Sequence, residues 1–209
     1  MLNDKSLIIT NNNHNKRYKR YKHLCSIAKK FINSLLKIYS IEYDLYKDVK
    51  DEIFKIYSKN ITFSGHHSNN IILAIIYIVI RQKHLPYVLE DISQIGNVKK
   101  TIINRKVALI KKSYVVEMPD RNFNSLIERY SSQLKISQTY KNKVKKIIEE
   151  NIIFFKTKPP NIAIFGTIYY VQYDPKIPKN FSQLKLAFLG NTSMVSLRRV
   201  FKYLNNKYK

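Results

Sequence analysis

Histidine and cysteine side chains are common metal ligands, and their spacing in the sequence decides whether they could bind a metal ion together. His66 and His67 are adjacent, His84 follows, and Cys25 is the only cysteine in the sequence. Neighbouring histidines on a loop point in different directions, and no carboxylate or thiolate stands at ligand spacing from them. A single cysteine forms neither a disulfide within the chain nor a thiolate zinc cluster. We therefore predict no metal site, no cofactor and an intracellular setting.

Two pairs of acids, Glu90-Asp91 and Glu149-Glu150, have the residue type for general acid–base catalysis. Each pair falls in a predicted amphipathic helix, where adjacent acids usually face water. No Gly-rich phosphate loop, nucleophile elbow or kinase signature occurs in the sequence. Nothing places a nucleophile next to a base, so the sequence predicts a protein that is not an enzyme.

The C-terminal helix carries side chains that could read DNA bases. A short helix predicted over residues 181–189, the turn Gly190-Asn191 and a helix over residues 193–204 form a helix-turn-helix. The N-terminal side chains of the second helix in this motif can face base edges in the major groove. Here they are Thr192, Ser193, Val195, Ser196, Arg198 and Arg199. Arginine can bond guanine through two hydrogen bonds and valine can touch the thymine methyl, although the motif can also serve packing alone.

Many basic residues could hold DNA phosphates, which positions a protein on the duplex and makes binding salt-dependent without specifying sequence. The predicted phosphate-binding residues are Lys99, Lys100, Arg105, Lys158, Ser193, Arg199 and Lys202. Further candidates are Lys106, Lys141, Lys143, Lys145 and Lys146. Each one alone could equally be a solvated surface residue, so the prediction concerns their sum.

The charge balance points to a polyanionic partner. The sequence contains 38 Lys and Arg against 14 Asp and Glu, a net charge of +24. Such a field repels itself unless a polyanion shares it. Codon bias in an AT-rich genome is the competing explanation, but it raises lysine without suppressing acids. A nucleic acid is favoured over a membrane surface, because no single helix concentrates the charge opposite a strong apolar face.

Length and composition predict a mainly helical protein. The 209 residues allow one large domain or two of about 100 residues each. The apolar fraction of 44% supports a real core, while 4 Gly and 6 Pro are too few for a turn-rich β-fold. The longest apolar run, residues 71–80, is about half the ~20 residues of a bilayer span and predicts a buried helix. We expect no signal peptide, because the N-terminus has no continuous apolar segment.

Apolar residues at three- and four-residue spacing predict helices in series. The predicted helices cover residues 24–36, 45–57, 71–81, 87–93, 98–111, 123–134, 140–155, 162–173, 181–189 and 193–204. We expect a flexible basic tail over residues 1–20, a first cyclin-like repeat over 21–116 and a second over 117–209. The basic run over residues 16–22 is a localisation signal, a DNA-contacting arm or the solvated start of the first helix.

The second half of the sequence repeats the first. Correspondences at an offset of 92 residues (168 − 76) are Ile76-Tyr77-Ile78-Val79 with Ile168-Tyr169-Tyr170-Val171, Pro86 with Pro178, and Ile92 with Leu184. Correspondences at an offset of 94 (190 − 96) are Gly96-Asn97 with Gly190-Asn191, Ile103 with Leu197, and Arg105 with Arg199. We attribute the change to a two-residue insertion in the short helix. Each half is thus predicted to contain five helices in the same order, ending in a helix-turn-helix.

Two five-helix repeats with an apolar central third helix resemble the cyclin-like core of transcription factor IIB, over about residues 20–207. Residues 76–82 (IYIVIRQ) with Leu85-Pro86 are similar to that family's third helix and the loop after it. Residues 103–110 (INRKVALI) resemble its fifth helix, and residues 195–202 (VSLRRVFK) resemble its last helix. The resemblance implies an all-α fold of two tandem cyclin-like repeats.

The resemblance also implies a function. A protein of this family is a general transcription initiation factor that bridges the TATA-binding protein and double-stranded promoter DNA, in the nucleus or at a site of viral or endosymbiont transcription. Val195 and Arg198 match family positions that read bases upstream of the TATA element, and Lys158 stands where the family carries a basic residue. The basic first repeat would contact the TATA-binding protein. The sequence leaves open whether RNA polymerase is a partner, because the zinc ribbon and reader segment that engage it in this family are not expected here.

Two other functions share the helical fold and the charge. A cyclin would activate a kinase, although the Lys and Glu pair that cyclins use in the first repeat has no clear match. A basic helical scaffold associated with RNA or ribosomes would prefer RNA over duplex DNA.

Overall fold

The structure is a computed structural model that describes residues 4–58, 68–113, 116–177 and 181–208, with side chains from Arg17 onward. These residues form eleven helices and no strand, so the predicted all-α fold is confirmed. The helices are α1 (Asp4–Ile38), α2 (Leu45–Ser58), α3 (Ser68–Gln82), α4 (Leu89–Gly96), α5 (Lys100–Ser113), α6 (Phe123–Leu134), α7 (Gln138–Glu150), α8 (Ile152–Lys156), α9 (Pro160–Val171), α10 (Gln183–Leu189) and α11 (Met194–Lys207). Within the described segments, none of these helices is long and apolar enough to cross a membrane.

The chain divides into two compact units. Unit 1 comprises Met1–Lys83 and Leu89–Pro119, and unit 2 comprises His84–Val88 and Asp120–Lys209. This division lies close to the boundary predicted after residue 116. Helix α1 begins at Asp4, inside the segment predicted as a tail, and includes the basic run over residues 16–22. That each unit is a cyclin-like repeat remains a prediction.

Unit 1 is built around α3. Residues 71–80 are all buried, because α1, α2, α4 and α5 pack against α3 from several sides. A helix enclosed in this way can be apolar on every face. The buried helix predicted from this apolar run is confirmed.

Unit 2 is built around α9 in the same manner, with α6, α7, α8, α10 and α11 packed against it. Pro160 stands in the first turn of α9, where its missing N–H is not needed. The single helix predicted over residues 140–155 is two helices, α7 and α8. The break falls at Asn151, whose backbone leaves helical geometry (φ −120°, ψ 25°) and whose buried amide donates to the Ile147 carbonyl at 2.8 Å.

The last two helices of each unit begin at corresponding positions. Helices α5 and α11 begin 94 residues apart (194 − 100) and end 94 residues apart (207 − 113). Helices α4 and α10 also begin 94 residues apart (183 − 89). The predicted pairing of Ile92 with Leu184 is therefore wrong: Ile92 is fully buried, Leu184 is 66% exposed, and the fully buried Leu186 is the counterpart at an offset of 94. The change of offset thus precedes α10 rather than falling within it.

Candidate nucleic-acid interface

The turn between α10 and α11 fixes the angle at which α11 leaves the motif. Asn191 adopts a left-handed backbone (φ 43°), which asparagine tolerates better than most residues. The Asn191 N–H donates to the Phe188 carbonyl at 3.1 Å, and the Thr192 N–H donates to the Ala187 carbonyl at 2.9 Å. The predicted tight turn therefore closes α10 and starts the approach to α11.

A glycine lets this turn pack closely on α9. A Cβ at Gly190 would come within 2.6 Å of the Phe165 ring, closer than real Cβ contacts. The buried Asn161 side chain donates to the Gly190 carbonyl at 2.6 Å, which anchors the turn to the start of α9. The orientation of α11 is thus set by packing and hydrogen bonding to the central helix.

Helix α11 has one buried and one exposed face. Leu197, Val200 and Leu204 are buried against the unit 2 core. Val195 is 52% exposed, and the Arg198 side chain is also exposed. The two predicted base-reading side chains therefore lie at the surface of the N-terminal half of α11, where a major groove could reach them.

The beginning of α11 is held by neutral hydrogen bonds. The Ser193 hydroxyl accepts from the Ser196 N–H at 3.1 Å, so this predicted phosphate contact is also the N-cap of the helix. Gln183, in the first turn of α10, donates its amide to the Met194 carbonyl at 2.9 Å. Ser193 remains exposed, so its hydroxyl is at the surface of the motif.

Three cations on the exposed face of α11 have no acidic partner in the described part of the chain. Arg199 and Lys202 are exposed like Arg198, and no described acid forms an ion pair with any of the three. The sequence reason is simple, because no Asp or Glu follows Asp174 in the chain. Their charge is therefore available to an external anion.

In unit 1, a cation at the start of the second helix of the motif is paired internally. Lys100, at the start of α5, donates to the Glu90 carboxylate of α4 at 2.8 Å. Glu90 and Asp91 are both buried, which corrects the expectation that this pair faces water. A carboxylate in the first turn of a helix is favoured there by the helix dipole, and the lysine compensates its burial. The predicted phosphate contact of Lys100 thus competes with an internal partner.

The lysines of α7 are also paired internally. Glu128 binds Lys141 at 2.7 Å and Lys145 at 2.6 Å, and the lysine hydrogen bonds hold the pKa of Glu128 below its ordinary value. Lys143 pairs with Asp174 and Lys146 with Glu150. These four candidates contribute less free positive charge than their number suggests.

The remaining predicted phosphate contacts differ in exposure. Lys99 and Arg105 are exposed on unit 1. Lys106 is half-buried there. Lys158, at the start of α9, is half-buried, and its ammonium lies 5.1 Å from the centre of the Phe154 ring.

A group of aromatic side chains beside α11 was missed from the sequence. Tyr169 and Tyr173 of α9 and its C-terminal end pack against Phe201 of α11, with ring centres 5.4 and 5.1 Å from it. The Tyr169 and Tyr173 hydroxyls lie 3.1 Å apart, and this hydrogen bond, with burial, raises the pKa of Tyr169 while nearby Arg198 lowers it. The spacing of Tyr169 and Tyr173 signals one helix face, but Phe201 joins them only through the fold.

No group of three His, Cys, Asp or Glu side chains able to hold a metal ion occurs in the described part of the chain. His66 and His67 lie outside the described residues. Among the described residues, the exposed basic face of α11 is the arrangement best suited to a chemical role, namely contact with an anion.

Comparison with known proteins identifies related sequences. The chain is 23% identical over 165 residues to transcription initiation factor IIB of Dictyostelium discoideum, covering 77% of this chain and 50% of that protein. It is 23% identical over 167 residues to transcription initiation factor IIB 1 of Thermoplasma volcanium, covering 78% of this chain and 53% of that protein. No family model matches the chain.

The chain thus spans about half the length of the curated relatives that it matches. The two relatives come from different organisms and carry the name of the same factor, and both align over a similar share of this chain. The resemblance inferred from the sequence is therefore confirmed: the chain is a divergent core similar to that of transcription initiation factor IIB.

Proposed function

We propose that this protein is a general transcription initiation factor that binds promoter DNA through unit 2 and bridges it to a TATA-binding protein. The observation that carries the proposal is the exposed face of α11, where Val195, Arg198, Arg199 and Lys202 lie together without an acidic partner among the residues that the structure describes. The names of the two relatives support the role in transcription initiation. Such a protein would act in the nucleus, or at the site of viral or endosymbiont transcription.

We further propose that the two units are cyclin-like repeats. The corresponding start positions of the last two helices in each unit support this assignment. So does the turn of unit 1, where Asn97 has φ 48° and the Val98 N–H donates to the Ser93 carbonyl, as Thr192 does to Ala187 in unit 2. In this proposal the basic surface of unit 1 contacts the TATA-binding protein.

A gel shift on TATA-containing duplex, with and without a TATA-binding protein, tests the proposal. We expect binding that the TATA-binding protein strengthens and that rising salt weakens steeply, because phosphate contacts release counterions. A protein that binds duplex equally with and without a TATA-binding protein would contradict the bridging role.

Two variants of α11 separate base reading from phosphate binding. Arg198→Ala should reduce the preference for promoter over random duplex by roughly 5- to 150-fold, the equivalent of about 1–3 kcal/mol for a bidentate base contact. Lys202→Ala should weaken binding to both duplexes alike and lower the salt slope by about 1. If Arg198→Ala bound every duplex as the parent does, Arg198 would not read bases.

A further inference from the structure

A cavity of about 500 Å³ opens on unit 2 between α7, the end of α9 and the C-terminal half of α11. Four aromatic side chains line it: Tyr170, Tyr173, Phe201 and Tyr208. Its volume falls within the range of small-molecule sites in proteins. We call these four rings and the space between them the aromatic groove.

The rings of the aromatic groove form a continuous series. Ring centres are 6.2 Å apart between Tyr208 and Tyr170, 5.9 Å between Tyr170 and Phe201, and 5.1 Å between Phe201 and Tyr173. The two rings at the ends, Tyr173 and Tyr208, are 47% and 42% exposed. Solvent-facing rings on both sides of a cavity are suited to a flat partner that stacks on them.

Charge is separated along this side of α11. Inside the cavity, Lys143 pairs with Asp174 and Lys146 with Glu150, so the aromatic groove is close to neutral. Towards the N-terminus of α11, Arg198 and Lys202 have no acidic partner among the described residues. A nucleotide has the same division, because its base is neutral and its phosphate is anionic.

The groove also contains a polar group that could bond a base edge. Asn205 lines the cavity, and its amide has no hydrogen-bond partner among the described residues. An asparagine amide both donates and accepts, which suits the edge of a nucleobase.

We propose that the aromatic groove binds single-stranded nucleic acid, with unpaired bases stacked on Tyr173 and Tyr208 and phosphates held by Arg198 and Lys202. Stacking on aromatic side chains needs bases whose faces are exposed, as they are in a single strand but not in a duplex. From Arg198 to Tyr208, α11 rises about 15 Å, the length of about four stacked nucleotides. This site goes beyond the proposed duplex binding in its rings and its amide, and it shares Arg198 and Lys202 with that function, so the two nucleic acids would compete for these cations.

Fluorescence anisotropy with a labelled oligothymidylate of about 12 nucleotides tests the proposal on the full chain. Tyr173→Leu removes an exposed ring and keeps an apolar side chain, and Asn205→Ala removes the amide. Phe54→Leu is the matched control, because Phe54 is 59% exposed on the acid-bearing helix α2 of unit 1. The same proteins are measured against TATA-containing duplex, with circular dichroism to verify folding.

We expect Tyr173→Leu to weaken oligothymidylate binding about 5- to 150-fold, the range for loss of one stacked base, and Asn205→Ala to weaken it less. Duplex binding should change less than about twofold in both variants, and Phe54→Leu should match the parent. The proposal is overturned if the parent does not bind oligothymidylate, or if Tyr173→Leu binds it as Phe54→Leu does. A parent that binds duplex but not the single strand would overturn only this proposal and leave the duplex-binding function in place.

Discussion

The two helix-turn-helix motifs have similar backbone geometry but differ in the charge of the contact between their two helices. In unit 1 the first turn of α4 is linked to the start of α5 by an ion pair, Glu90 with Lys100 at 2.8 Å. In unit 2 the first turn of α10 is linked to the start of α11 by a neutral bond, from the Gln183 amide to the Met194 carbonyl at 2.9 Å. Lys100 and Met194 are the first residues of their helices, so the two links occupy the same place in the motif.

This difference indicates which motif is better suited to an anion. Where the link is an ion pair, the protein compensates its own cation, and an external phosphate would have to compete with Glu90. Where the link is neutral, Arg198, Arg199 and Lys202 form no ion pair with an acid among the described residues. Similar helix-turn-helix backbones thus carry an internally paired lysine in one unit and cations without a described acidic partner in the other.

The comparison predicts that the two second helices are packed equally well. Ile103 of α5 and Leu197 of α11 are both fully buried, and they lie 94 residues apart (197 − 103). Ile103→Ala and Leu197→Ala should each lower the free energy of unfolding by about 2–5 kcal/mol, because each leaves a cavity. Urea unfolding followed by circular dichroism measures the loss. A cost under about 1 kcal/mol at one position would show that the two helices are not packed alike.

Substituting the glycine of each glycine-asparagine turn should give the next largest loss of stability. A Cβ at Gly96 would overlap the Leu73 side chain, as one at Gly190 would overlap the Phe165 ring. Gly96→Ala and Gly190→Ala should each cost about 1–3 kcal/mol through overpacking. Only Gly190→Ala should also weaken duplex binding, because it displaces α11. Gln94→Ala, at an exposed position of α4, is the control and should change neither stability nor binding by much.

Much of this scaffold was predictable because its signals are local. The apolar runs of α3 and α9, the glycine-asparagine turns and the surface position of Arg198 follow from periodicity and turn chemistry within short windows of sequence. The burial of Glu90 and Asp91 was not predictable in this way. It depends on neighbours that the fold supplies, including Lys100 from the next helix.

The aromatic groove was missed for a related reason. Tyr170 and Phe201 belong to different helices, and only the packing of α11 on α9 brings their rings to 5.9 Å. The contact at the break is of the same kind, because Lys207 from the C-terminal helix donates to the Asn151 side chain at 2.8 Å and only the fold brings the two together. Sequence periodicity runs through this position without interruption.

Removing the acidic partner of Lys100 should give unit 1, like unit 2, a cation that is available to phosphate near the start of its second motif helix. Glu90→Gln removes the carboxylate while keeping the shape, and the half-exposed lysine becomes free for phosphate. We expect non-specific duplex affinity at low salt to rise about twofold, with a stability loss of about 1 kcal/mol or less because the lysine is half-exposed. Glu149→Gln makes the same change of charge at an exposed position of α7. An equal rise in both variants would mean that net charge alone, and not the release of Lys100, sets the affinity.

Breaking the ion pairs between Glu128 and two lysines of α7 gives the smallest predicted effect on stability. The dependence of this effect on pH shows whether the pairs stabilise the folded protein. Hydrogen bonds from Lys141 and Lys145 lower the pKa of Glu128 in the folded protein. The unfolded state therefore binds a proton more readily than the folded state, so the pairing stabilises the protein at neutral pH. This contribution is lost as the pH falls below the ordinary glutamate range near pH 4 and through the lower folded pKa.

Glu128→Gln should accordingly cost under about 1 kcal/mol at pH 7, since the pair is partly exposed, and the difference from the parent should shrink as the pH falls below the ordinary glutamate range. The free energy of unfolding of both proteins, measured across this range, checks the prediction. A difference that grew as the pH fell would mean that Glu128 is destabilised when charged, against the observed contacts with two lysines. Because the same substitution frees Lys141 and Lys145, it should also raise oligothymidylate and duplex binding slightly. Arg198, Arg199 and Lys202 of α11 form no ion pair with a described acid that a substitution could break, so the acids near each helix account for the difference between α7 and α11.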